Sequence, residues 1–345
     1  MNHLRVLFEE QLQIIIDPGG SAIIGETVFP LAVILGYDAT AYDAEFKSWL
    51  NDQFLPEQKE RLESILSRHG NRKRYSDLCV AVKNEYVAPL VGSGMSVPSG
   101  LSTWADFLRS IRKYSSLSEE GLESLLAASA FEEAVDRLAE TMPERLFKER
   151  IEHDLRIDDP GTIDGPIRHL PMIFPKLVLT TNLDDVLELL YTMQEHVFAH
   201  VLSGASIGRH RTLKAASESF LLKLHGDCRS HEGRVLGTAE YEQAYASDGV
   251  VYQELSLIFK TKSILFLGCS LGPDRTLRLI ADVAADDLNM PKHYAFLKEP
   301  NDEPWRIKRE HFLTERSVFP IWYPNGHEED IEALLVGILR NIGRL

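Results

Sequence analysis

The hydrophobic pattern changes character along the chain. Through about residue 68, apolar positions recur at helical spacing in "VLFEEQLQIII", "DAEFKSWLNDQF" and "PEQKERLESILSRHG", with "DPGG" breaking the first of these. Pro56 stands at a helix start and Gly70 just past a helix end. The polar, basic stretch "RHGNRKR" (68–74) reads as a solvated linker, because no aromatic residues interleave its charges. This places a boundary near residue 75, between a helical segment 1–75 and a domain 76–345.

Beyond the boundary, short continuous apolar runs alternate with helical patterns. "YVAPLVGSG", "KLVLTTN", "HVFAHVLS", "FLLKLHGD", "SILFLGCSL", "HYAFLKE" and "VFPIWYP" read as strands buried on both faces. Between the first and second of these lies a helical block at about residues 105–172, read as an insertion. Strands alternating with helices predict an α/β fold, a doubly wound Rossmann-like parallel sheet with a helical insertion and a helical N-terminal segment.

In such a sheet, ligands bind beyond the carboxyl ends of the strands. Four strands end in polar or glycine-rich signatures at that edge: "LVGSGMSVPSG" (90–100), "LVLTTNLDD" (177–185), "LLKLHGD" (221–227) and "ILFLGCSLGPD" (264–274). Glycines after the first would let the backbone approach a pyrophosphate, with a following helix N-terminus favouring its charge. The spacing departs from the dehydrogenase fingerprint, since Val97 stands where a third glycine or alanine belongs. At the second end, Asn182 or Asp184 serves as a cap for "DVLELLY". At the third, His225 sits at a strand tip, Gly226 lets the chain turn, and Asp227 fixes that turn.

The chain of 345 residues is 44% hydrophobic and 26% charged, which fits a globular protein. A net charge of −15 argues against duplex binding by the whole surface. Cys79, Cys228 and Cys269 lie far apart with no CxxC pair, which excludes an ordinary zinc ribbon, makes a disulfide framework an unfavoured reading and fits a reducing cytoplasm. The N-terminus carries Glu9, Glu10 and Asp17 among its apolar residues, unlike a signal peptide, and no apolar run is long enough for a bilayer.

Taken together, GxGxS, TTNxD, HGD and GxS in that order resemble the sirtuin family of NAD-using enzymes. "TTNLD" with "KLHGD" is similar in particular to the sirtuin-like domains of bacterial anti-phage defence systems. The resemblance covers about residues 76–345. It implies a Rossmann-like sheet that binds NAD+ as substrate. Gly92, Ser93, Gly94 and Ser96 would hold phosphates. Asn182 and Asp184 would hold the nicotinamide ribose region, Thr181 would also bind the cofactor, Gly268 and Ser270 would face the adenosine half, and Asn182 and His225 would be catalytic. The chain lacks the family's four-cysteine zinc ribbon, and "LSTWADF" (101–107) replaces the Pro-Asp-Phe-Arg segment, so its arginine is missing. Peptide deacylation is therefore in doubt, while cleavage of the glycosidic bond of NAD+ needs no metal. The expected activity is an NAD+ glycohydrolase that depletes NAD+ in abortive infection, gated by assembly or a partner. The expected assembly is a homo-oligomer, with a HerA-type ring ATPase or another protein of the same operon as partner. A deacylase or ADP-ribosyltransferase, and a non-catalytic NAD or ADP-ribose sensor, are the alternatives.

Overall fold

The structure is a computed structural model describing residues 2–16, 21–24, 27–30, 36–204, 207, 218–272, 275–286 and 290–345. The break at "DPGG" (17–20) and residues 273–274 of "GPD" lie outside the described residues.

The N-terminal segment begins with helix α1 (Asn2–Ile16) and an antiparallel pair, β1 (Ser21–Ile24) with β2 (Thr27–Pro30). It continues with α2 (Ala39–Ser48), a π-helical stretch (Trp49–Phe54) and α3 (Leu55–Leu66). Phe8, Tyr42, Phe46, Trp49 and Phe54 form its aromatic core. The segment is mostly helical, as expected, and the β1–β2 pair is an addition to it.

The expected linker at 68–74 is also corrected. Helix α4 (Asn71–Lys83) begins inside it and runs through residue 75. Asn71 is fully buried and works as a clamp. Its Nδ2 donates to the carbonyls of Ile65 and Trp322, both at 2.8 Å, and its Oδ1 accepts from Trp322 N at 3.1 Å. The basic residues around it are paired: Arg68 with Glu299, Arg72 with Glu63, Arg74 with Glu310. A polar string that looks solvated is therefore a docking strip.

Among the described residues the domain beyond carries seven parallel strands: β3 (Val87–Val91), β4 (Leu177–Thr180), β5 (His200–Ser203), β6 (Phe220–Lys223), β7 (Ser263–Leu267), β8 (His293–Lys298) and β9 (Val318–Tyr323). Their order is β5-β6-β4-β3-β7-β8-β9, every pairing parallel. This is the predicted α/β doubly wound sheet. Side-chain alternation splits its core in two. Val87, Val91, Leu265 and Leu267 face one apolar layer, and Ala88, Leu90, Ile264 and Phe266 face the other. Because both faces of the inner strands are covered, those strands read as apolar runs, while the edge strand β5 stays partly exposed.

The helices that fill the layers are α10 (Val186–Met193), α11 (Thr238–Ala244), α12 (Val250–Thr261), α13 (Arg275–Asp286), α14 (Glu303–Thr314) and α15 (His327–Asn341). Between β3 and β4 come α5 (Trp104–Arg112), α6 (Glu119–Ala127), α7 (Phe131–Thr141), α8 (Glu144–Asp154) and the short α9 (Leu170–Ile173). Helices α5 to α8 bury Phe107, Leu122, Leu138 and Ile151 in a core of their own, which also takes in Leu183, Cys228 and Leu236 from the loops beyond β4 and β6. The block is therefore seated on the carboxyl edge of the sheet.

From β3 the chain goes to β4 on one side, and after β6 it crosses back to β7 on the other. The switch point falls beside β3, where doubly wound sheets open a crevice at their carboxyl ends.

Candidate active site

The turns after β3 and β7 meet at that switch point. Gly92 N donates to Leu267 O at 2.8 Å, and Gly94 N to Gly268 O at 3.1 Å. A Cβ on Gly92 would lie 2.6 Å from Gly268 O, and one on Gly94 2.9 Å from the same atom. Gly268 itself has φ +65°. These glycines are required by each other's backbone. The expected helix N-terminus directly after the loop is replaced by two 3-10 turns, Ser93–Met95 and Val97–Ser99. The first α-helical N-terminus is that of α5, whose Trp104 N–H is given to Ser93 Oγ at 3.4 Å.

A cleft of about 770 Å³ opens from this crevice, within the range of roughly 300–1,000 Å³ usual for small-molecule sites. Its walls include Gly92, Ser93, Gly94, Thr181, Asn182 and Asp184, and also His225, Gly268 and Ser270. Of the predicted site residues only Ser96 is not on that wall. It lies just beneath, 1% exposed. Its hydroxyl donates to Asp184 Oδ2 at 2.9 Å and accepts from Asn182 Nδ2 at 3.1 Å. Ser96 therefore ties the glycine loop to the β4 tip.

The polar groups after β4 have distinct local tasks. Thr180 Oγ1 donates to Val91 O at 2.8 Å and accepts from Asn182 N at 2.9 Å. The N-cap position of α10 is taken by Asp185, not by either expected residue, and Asp184 just before it supports the first turn, its Oδ1 accepting from Val186 N at 3.2 Å. Burial pushes the Asp184 carboxyl above its usual range, opposed by the Lys223 ammonium and the Ser96 hydroxyl. Asp185 is used structurally, accepting from Ile157 N at 2.9 Å and pairing with Arg229.

His225 stands two residues past β6. Both ring nitrogens are engaged: Nε2 lies 2.9 Å from Tyr245 Oη, and Nδ1 3.1 Å from Tyr241 Oη. Neutral imidazole has one N–H and one lone pair, so one tyrosine accepts and the other donates. Burial holds the imidazole neutral, lowering its pKa to about 4. Gly226 has φ +102°, and a Cβ there would sit 2.8 Å from Arg234 Cα. The glycine is needed against the neighbouring loop. Asp227 closes the turn, its Oδ1 accepting from Arg229 N at 2.7 Å.

Other residues reach the cleft with no motif to announce them. Trp104, Phe131 and Tyr241 give aromatic walls, and Arg275 and Arg278 give cations. Arg275 is held bidentately by Glu132, Nε to Oε1 at 2.7 Å and a terminal nitrogen to Oε2 at 2.6 Å. Glu132 belongs to α7, so this pair docks the inserted helices onto α13. Asp136 adds to the docking by accepting from Thr238 N of α11 at 3.2 Å. Arg278 is exposed. A signal for these residues exists only in part: "RTLR" opens a helix directly after a glycine-rich strand end. A second cavity of about 320 Å³ shares Gly268, Cys269 and Ser270 with the cleft and is lined beyond them by Lys298, Trp305 and Arg309. Among the described residues no group of His, Cys, Asp and Glu has the arrangement of a metal site, and no helix is long and apolar enough to cross a membrane.

Residues 176–321 match the family model described as a SIR2-like domain. The matched stretch runs from the residue before β4 into β9. It contains Thr181, Asn182, Asp184, His225, Gly268 and Ser270, while the glycine loop at 92–96 and the inserted helices precede it. No curated protein matches the chain.

Proposed function

We propose that the chain is an NAD+ glycohydrolase, releasing nicotinamide and ADP-ribose. The observation that carries this reading is a convergence. Asn182, Asp184 and His225 come from the ends of the neighbouring strands β4 and β6 and line one cleft with the glycine crevice between β3 and β7. The SIR2-like match supports an NAD-using chemistry for that cleft.

The bond to be broken joins ribose C1 to the ring nitrogen of nicotinamide, which leaves with the bonding electron pair. Positive charge develops on the ribose, and the oxygen of a water molecule adds to C1. Three tasks fall to the protein: fixing the dinucleotide, offsetting that charge and taking the water's proton. The Asp184 carboxylate offsets the charge. The Asn182 amide orients a ribose hydroxyl or the water. His225, neutral at physiological pH, takes the proton after giving up one tyrosine hydroxyl. The phosphates lie along Gly92–Gly94, and the adenosine end reaches past Gly268–Ser270 towards the second cavity. No metal has a task in this scheme.

The biological part of the proposal is depletion of NAD+ in a phage-infected bacterial cytoplasm, by a homo-oligomer held silent until assembly or a partner, such as a HerA-type ring ATPase, releases it. Its support is the resemblance in the four strand ends alone.

The test is product analysis. Purified protein, alone and with proteins encoded beside it, is incubated with NAD+. Equal amounts of nicotinamide and ADP-ribose are expected. Transfer of ADP-ribose or loss of acyl groups on a protein would replace this reading with a transferase or deacylase, and tight binding without turnover would make the chain a sensor.

A further inference from the structure

Beneath the cleft lies a lysine that does not reach its wall. Lys223 ends β6 and is 0% exposed. An isolated buried ammonium is costly, so its partners must be accounted for. It has three N–H donors and three acceptors surround it: Asp184 O at 2.8 Å, Glu188 Oε1 at 2.6 Å and Asp227 Oδ2 at 2.6 Å. Burial works against the charge, yet Glu188 and Asp227 outweigh it and hold the ammonium above its ordinary pKa.

The three acceptors belong to the two segments that carry the cleft's polar groups. Asp184 and Glu188 belong to the end of β4 and the first turns of α10, and Asp184 is bound through Ser96 to Asn182. Asp227 belongs to the turn that follows His225. We propose that Lys223 is the positioning residue of this site, its three hydrogen bonds holding the Asn182–Asp184 segment and the His225 turn in one fixed register. This rests on reading the cleft as the NAD+-cleaving site. Without the ammonium, Glu188 and Asp227 are two partly buried carboxylates left close together. They relieve that by moving apart or by taking up a proton, and either response shifts His225 relative to Asn182. An error of about 1 Å between such groups is enough to cost roughly a hundredfold in rate.

The experiment uses the full chain and three substitutions: Lys223→Met, which keeps length and removes charge, and Glu188→Gln and Asp227→Asn, which each weaken one arm and retain the lysine. Folding is checked by circular dichroism. The readouts are kcat and KM for NAD+, the pH profile of kcat, and amide hydrogen exchange. In folded Lys223→Met, kcat is expected to fall at least tenfold with KM within about threefold, and the acid limb of the profile to move to higher pH as Asp184 loses the opposing charge of Lys223. Asp227→Asn and Glu188→Gln are expected to show smaller losses of the same kind, and they carry the test if Lys223→Met does not fold. Exchange is expected to quicken together in residues 181–186 and 224–229 and to stay unchanged in β8 and β9. Wild-type kcat and unchanged exchange in the folded variants would overturn the proposal and leave Lys223 a stabilising residue only. A wild type without turnover would remove the NAD+ reading alone. The exchange measurement would still decide the role of Lys223.

Discussion

The hydroxyl of Tyr241 lies 3.1 Å from Nδ1 of His225, at the wall of the cleft. With Tyr245 on the other nitrogen, the imidazole is fixed in its plane and kept neutral. His225→Ala is expected to fold and to lose NAD+ cleavage by at least roughly a hundredfold, the lower range for a general base. Near wild-type turnover in a folded variant would reduce His225 to a turn residue.

The same burial makes a prediction about acid. His225 has a pKa of about 4 when folded and an ordinary value of 6.5. Between those values the unfolded chain binds the proton and the folded chain does not, so the stability linked to His225 is complete above about pH 6.5 and drains away towards pH 4. At pH 5 the loss is roughly 2 kcal/mol. His3 and His293 are depressed as well, so the comparison must be with a variant. Urea unfolding at pH 7 and pH 5 is expected to show wild type losing roughly 2 kcal/mol more than His225→Gln. Equal losses would mean that His225 titrates normally.

Asn182 donates to Ser96 and does not cap α10. Asn182→Ala should therefore cost only about 1 kcal/mol, the net worth of one hydrogen bond, while abolishing turnover. A variant that unfolds, with its residual folded protein fully active, would assign Asn182 to structure.

Arg278 is an exposed cation on the cleft wall. Arg278→Gln is expected to weaken ADP-ribose binding about tenfold, as loss of a charge-assisted hydrogen bond would, with the effect fading as salt rises. Calorimetry at low and high salt checks it, and unchanged affinity would move the phosphates away from α13.

Gly226→Ala should destabilise by more than about 1 kcal/mol, since φ is +102° and the added carbon meets backbone of Arg234. A thermal melt matching wild type would show that the loop at 234 yields freely.

The sequence by itself determined the sheet. The seven runs became seven parallel strands among the described residues, because a strand covered on both faces, as the inner ones are, leaves little choice of residue type. It also pointed to the edge where Gly92, Asn182, His225 and Gly268 meet, because polar residues at the tips of such strands break the apolar pattern. What only the tertiary structure decided were relations between segments distant in the chain. Asn71 looked like part of a linker because its partners, Ile65 O and Trp322, are supplied by folding. That the Ser96 hydroxyl lies between Asn182 and Asp184 could not be read from its place in the glycine loop. Tyr241 and Arg275 carried no motif at all. A side chain's hydrogen-bond partner and its burial are properties of packing, and the local pattern of a sequence encodes neither until the strands bring those segments together.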